Sequence, residues 1–288
     1  MLKQVDHIFH FTTELNTLKE ILNTGFKPSY ARETLADSNV LVPMVSFSNI
    51  LLRDVGNVEV LNYGEYAIGF EREWGIRNEF NPVVYTYKNG LLQNNLKSFL
   101  DNTVFLSFIT EFRDKLKLFN SNGMKFSSHI NLTNTTKEAL DLLDYLTLNY
   151  KDELIDSISA HSRAIHLKNI QIFAITKQYK VKNVQDKEFI AYNDREWRKS
   201  YPELDILFEG EENYTHWINA PKPHFNNEPF LLKFSIKDVK AILVKNKEEI
   251  YEIVSELKSL HGDDLIDKLV SRRSLLIGTK ETLEKNNF

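Results

Sequence analysis

The sequence predicts an α+β fold: a single domain over residues 1–288, built on a split, mixed or mostly antiparallel sheet with a helical pair inserted into it. Three observations carry this. Aromatic and β-branched runs of strand length crowd the stretch up to Tyr87 and return from Ile170 onward. Between them, residues 91–162 switch to helical spacing. The first forty residues also contain a complete strand, helix and stop.

That first unit opens with Asp6 to Thr12, which reads as a strand. Thr12 or Thr13 is placed to cap a helix, with Leu15, Leu18, Ile21 and Leu22 at helical spacing and Gly25 as the stop. Ser29 to Asn39 is polar and reads as loop. Met44 to Ser48 alternates as a second strand. Tyr63 to Phe70 reads as a third, and its two glycines suggest a bulge or a close backbone approach. Glu71 to Ile76 fits one helical turn, and Pro82 to Tyr87 fits a short strand.

Leu92, Leu96, Phe99, Phe105, Phe108 and Phe112 then mark one long helical segment. Leu140, Leu143, Leu146, Leu154 and Ile158 mark another, behind Thr136 as cap. Strand texture resumes at Ile170 to Ile175. Glu188 to Arg198 is expected to be part strand and part turn, and Glu209 to Pro229 a long loop. Phe230 to Ser235 and Val239 to Val244 read as strands. Glu248 to Leu260 reads as an amphipathic helix, followed by a helical, frayed tail.

Composition narrows the function. Apolar residues make up 42% and charged residues 26%, with a formal net charge of -4, so a globular chain is expected and a dedicated nucleic-acid binder is not. There is no cysteine, which excludes disulfides, thiolate metal sites and a cysteine nucleophile. The opening residues carry an acid and no apolar core, and no apolar run has membrane-spanning length, so a cytoplasmic location without a membrane partner is expected. The dinucleotide, P-loop, zinc-protease and nucleophile-elbow signatures are missing. His161 and His166 lie five apart, which suits one metal poorly on a helix, so no metal is expected.

Three short constellations carry the candidate chemistry. In the first strand, His10 and Thr12 share a face just before a helix N-terminus, where backbone N–H groups can grip a ligand. The same pair can instead cap the helix locally. Ser46 and Ser48 share a face of the second strand, and a hydroxyl beside a carboxylate can fix its rotamer. A plain surface strand reads the same way. Glu196 and Arg198 would share one face with Trp197 opposite; buried charges need partners, so this is either a functional cluster or an exposed ion-pair ladder anchored by Trp197.

Taken jointly, the elements HFT, the GFxPSY that ends the first helix unit, PMVSFSN, YGxYxIGFxxEW, NPVxY, Lys177 to Lys180 and DREWR resemble the AbiGi family of bacterial abortive phage-resistance proteins. The resemblance runs from about Phe9 to Ser200, with a weaker echo at Phe230 to Lys245. It implies phage defence of the abortive-infection type and an antitoxin role. The order of a histidine, a Ser-x-Ser strand and a late glutamate is also similar to the ADP-ribosyltransferase superfamily. That similarity implies NAD: His10, Thr12 and Arg198 would hold it, Tyr66 would stack on nicotinamide, Ser46 would orient the acid, and Glu196 would be the catalytic acid. Asp194 stands where some members carry a second glutamate. Two functions follow from the resemblance. One is an NAD-dependent transferase acting on a phage or host macromolecule. The other is a non-catalytic antitoxin or binding module that holds a partner toxin.

Overall fold

The computed structural model describes residues 7–35, 38–51, 63–95, 174–182, 188–201, 203–210, 212–219 and 228–285, together with residues 157, 160 and 172. The chain forms two compact units. One comprises Met1–Lys88 with Ala174–Phe288, and the other Asn89–Phe173. In the second, residues 91–95 and the described residues 157, 160 and 172 are helical; the rest of the expected helical pair lies outside the described residues.

In chain order the first unit contains β1 (His7–Thr12), α1 (Leu15–Thr24), β2 (Ser29–Leu35), β3 (Ser38–Ser48), β4 (Tyr66–Glu71) and α2 (Arg72–Arg77). Then come β5 (Asn81–Pro82), β6 (Val84–Thr86), β7 (Thr176–Gln178), β8 (Lys180–Lys182), β9 (Glu188–Ile190), β10 (Glu196–Ser200) and β11 (Leu207–Phe208). The C-terminal part contributes α3 (Glu212–Asn219), β12 (Val239–Val244), α4 (Lys247–His261), α5 (Asp263–Ser271), β13 (Leu276–Thr279) and α6 (Lys280–Lys285).

The main sheet runs β13-β12-β4-β1-β3-β10-β5, and β2 and β11 also pair with the long β3. Its pairings are antiparallel except β12 with β13, so the sheet is mixed and mostly antiparallel. β6 and β7 form a separate parallel ribbon, and β8 and β9 an antiparallel one.

Alternation along the strands separates two faces. Ile8, Phe47, Tyr66, Ile68, Phe70, Ile242 and Val244 point to one face, where Leu18, Ile21 and Leu22 of α1 and Ile253 and Leu257 of α4 close over them. Fully burying each such side chain contributes about 1.5–3 kcal/mol. Phe9, Phe11, Ala67, Ala241 and Leu243 point to the other face. α1 stops because Gly25 holds φ at 95° and donates its N–H to the Ile21 carbonyl. A Cβ there would lie 2.6 Å from the Leu232 carbonyl oxygen. In β4, Gly69 is a close approach: an added Cβ would lie 2.5 Å from the Phe9 ring.

Several sequence expectations are corrected. Ser29 to Asn39 contains β2, which pairs with β3 over seven registered positions; its polar side chains had suggested loop, but backbone pairing to β3 decides. Thr12 stays in β1 opposite Tyr66, and the residue before α1 is Glu14, with no side-chain cap bond. Ile172 and Ala174 are helical, and strand structure begins only at Thr176. Phe230 to Ser235 makes a single bridge, Leu232 with Phe26, because one-turn helices at Glu228–Phe230 and Ile236–Asp238 bracket it. The expected Glu209 to Pro229 loop holds α3, and the expected helical tail holds β13. No described helix is long and apolar enough to cross a membrane.

Candidate functional site

β10 begins immediately after Arg195, whose φ of 44° is in the left-handed region that costs a non-glycine residue about 1–2 kcal/mol. The Arg195 carbonyl is held by the Asn49 N–H at 3.0 Å, which fixes where the strand starts. β10 then pairs with β3 in a register that sets Glu196 opposite Ser48, Trp197 opposite Phe47 and Arg198 opposite Ser46. Directly opposed residues of an antiparallel pair share a face. Trp197 therefore packs with Phe47 in the core, while Glu196 and Arg198 lie on the reverse face beside the two serines.

On that reverse face the charges form a closed cluster. Arg198 is fully buried, and Glu196, Glu33 and Lys177 are nearly so. The Arg198 Nε donates to Glu196 Oε1 at 2.7 Å, and Nη2 donates to Glu196 Oε2 at 3.0 Å and also to Glu33 Oε1. Nη1 donates to the carbonyls of Ala174 at 3.1 Å and Thr176 at 3.4 Å. All five guanidinium N–H groups are thereby used. Lys177 donates to Glu196 Oε2 at 2.8 Å, and the Glu196 backbone N–H donates to the Tyr85 hydroxyl at 2.9 Å.

Two lysine or arginine charges face two glutamates, so the buried cluster balances. Burial pushes the Glu196 carboxyl up, but Arg198 and Lys177 outweigh it and hold it well below the usual carboxylate range. Glu33 goes the other way. Burial raises it, and Arg198 and Lys177 only partly offset that, with Glu196 adding to the rise. Burial works against the Arg198 charge, and the two glutamates more than restore it.

His10 is elsewhere. It stands opposite Ile68 in β4, and its ring lies 5.0 Å from Phe26 and 5.5 Å from Phe47, on the helix-covered face. The registered pairing of β1 with β3 is Phe9 with Ser48. Past that point the His10 Nδ1 donates to the Ser46 carbonyl at 2.8 Å. A carbonyl only accepts, so Nδ1 carries the proton and Nε2 is the acceptor in the neutral ring. Burial lowers the His10 pKa, with the Ser46 bond acting in the opposite sense, and the ring stays neutral at pH 7.

The expectation that His10, Ser46 and Glu196 converge on one cleft is therefore corrected. The strand period of two sends His10, with Thr12 and Tyr66, to one face and Ser46, Glu196 and Arg198 to the other. Tyr66 is buried and donates its hydroxyl to Glu249 Oε1 at 3.0 Å, an arrangement that pushes its pKa up to about 12, mainly through burial. Ser48, not Ser46, stands opposite Glu196.

Sequence reading missed Glu33, Tyr85 and Lys177. Tyr85 closes the NPVxY element and Lys177 opens the Lys177 to Lys180 element, so both sat in recognised motifs without a role. Glu33 sat in a stretch read as loop. Among the described residues no group of three or more histidines or acids is placed to hold a metal ion.

Comparison with known families adds the decisive observation. The model of the family described as "Putative abortive phage resistance protein AbiGi, antitoxin" matches residues 26–245. The chain belongs to the AbiGi family. The AbiGi match contains Glu33, Ser46, Tyr66, Tyr85, Lys177, Glu196 and Arg198; His10 and Thr12 precede it. No curated protein and no solved structure matches the chain.

Proposed function

We propose that this AbiGi chain acts in abortive phage defence as the antitoxin, neutralising a partner toxin by binding it rather than by chemistry at Glu196. One observation carries the reading: every N–H of Arg198 and both oxygens of Glu196 are already engaged within the buried cluster. A catalytic carboxylate has to face the reacting atoms. This one faces an arginine and a lysine, and the histidine expected to share its ligand lies across the sheet.

The test is co-expression in a bacterial host with the toxin encoded in the same defence locus. Wild-type chain restores growth and co-purifies with the toxin. Glu196→Gln, checked for folding by circular dichroism, restores growth equally. Failure of the wild type both to rescue and to co-purify overturns the proposal.

A competing reading keeps NAD chemistry, and the register of Ser48 opposite Glu196 favours it, because that places a hydroxyl and a carboxylate side by side on one face. As they stand, His10 and Glu196 do not fit one NAD molecule between them. Purified chain incubated with labelled NAD and cell lysate, with and without phage infection, separates the two readings. Label transfer or nicotinamide release by the wild type, lost in Glu196→Gln, supports the enzyme.

A further inference from the structure

The chain leaves the first unit for residues 89–173 just after β6 and returns just before β7. These two stems pair with each other at three positions, Val84 with Thr176, Tyr85 with Lys177 and Thr86 with Gln178. A parallel ribbon of this length is marginal without further support, since parallel strands are normally covered within larger sheets. Beyond the ribbon, the Tyr87 and Tyr179 rings stack at 4.6 Å.

β10 supplies the support, through the same two residues that form the charge cluster. The Glu196 carbonyl accepts from the Val83 N–H at 2.9 Å and its own N–H donates to Tyr85 at 2.9 Å, so the backbone of Glu196 holds the outgoing stem. Its carboxylate holds Lys177 of the returning stem at 2.8 Å. Arg198 holds the carbonyls of Ala174 and Thr176 on that stem, and Glu33 of β2 anchors Arg198 from the other side.

We propose that Glu33, Lys177, Glu196 and Arg198 form a clasp that closes β6 and β7, the strands of the first unit that flank residues 89–173, onto the sheet and opens as one. The physical reason is the cost of an unpaired buried charge. Losing a single partner leaves a charge stranded in the closed state, and hydration of the whole cluster is the cheapest remedy. Because this cluster ties both stems to β10, opening the stems supplies that hydration without disturbing β4 and β12, on the far side of β1 from β10. The clasp is thus a two-position element within the first unit, between the β6–β7 ribbon and the sheet. It does not depend on the toxin-binding reading.

Native-state amide hydrogen exchange on the full chain, read by mass spectrometry, tests this. In Lys177→Met and in Glu196→Gln, peptides covering residues 83–86 and 174–178 exchange at least tenfold faster than in wild type, while peptides covering β4 and β12 keep their rates. Lys240→Met, which removes an exposed pair with Glu71, leaves the stems at wild-type rates. Unchanged stem rates in the two clasp variants overturn the proposal. So does equal acceleration of the stems and of β4 and β12, or acceleration of the stems by Lys240→Met.

Discussion

Glu196 and Arg198, two residues apart on one strand, hold each other through two parallel bonds of 2.7 and 3.0 Å beneath a closed surface. Such a fork is geometrically specific, and burial makes each member dependent on the other. Arg198→Met strands two carboxylates, so a loss of about 3–5 kcal/mol is expected, measured by urea denaturation. Arg198→Lys loses a similar amount, because an ammonium with three donors cannot replace a planar group with five. A loss below about 1 kcal/mol in either variant would show that the cluster is not closed in solution.

The two glutamates give opposite pH signatures. Glu196 has a lowered folded pKa, so its stabilisation is present above its ordinary value of 4.5 and is lost as pH falls through its folded value. Glu196→Gln is therefore less stable than wild type at pH 7, and the gap narrows as pH falls below 4.5. Glu33 has a raised folded pKa, so wild-type stability from this group falls as pH rises from 4.5 through the raised value. Glu33→Gln lacks that fall and improves relative to wild type across the same window. Denaturant midpoints measured from pH 3.5 to 8 check both signs.

His10 has its own window. Its folded pKa lies below the ordinary 6.5, so the unfolded chain binds the proton first and stability declines as pH drops beneath 6.5. His10→Phe removes the titrating group and loses the Ser46 bond, which lowers stability at pH 7.5. The gap between variant and wild type then shrinks toward pH 5.5. Nitrogen NMR of the imidazole is expected to show a protonated Nδ1, and a protonated Nε2 would remove the assigned tautomer.

Gly69 and Phe9 are a packing pair. Gly69→Ala drives a methyl into the Phe9 ring and is expected to cost about 1–3 kcal/mol. Phe9→Leu vacates the space, so the double variant recovers part of the loss in a double-mutant cycle. Strict additivity would place the strain elsewhere.

Tyr66 tests the face assignment. Tyr66→Phe removes one hydrogen bond to Glu249 and is expected to cost about 0.5–1.5 kcal/mol without changing toxin neutralisation. Spectrophotometric titration is expected to lose a phenol that ionises near pH 12, rather than one near 10.

Much of the fold was legible in the chain. The period of Leu15, Leu18, Ile21 and Leu22 and the stop at Gly25 gave α1, and the apolar run Val239 to Val244 gave β12, because burial on one side imposes a spacing that residues display locally. β2 and β13 were not legible. A polar strand is held by backbone bonds to its neighbour, and Ser29 to Leu35 shows no alternation that betrays them. Glu196 and Arg198 stood out in the sequence as charges on one face that need partners; the structure pairs them with each other, and with Lys177 and Glu33, which no local pattern linked to them.

By itself the sequence determined the family, the mixed α+β character and the presence of a charge pair anchored by Trp197. These follow from composition, motif order and local period. Tertiary structure alone decided where each side chain points: strand register set His10 and Glu196 on opposite faces, and chain crossings brought Glu33 and Lys177 onto Arg198. A strand's period of two makes a one-residue difference in register reverse the face. No local pattern contains the register between strands separated by more than a hundred residues, so the chain could name the charges without saying whether they meet a ligand or one another.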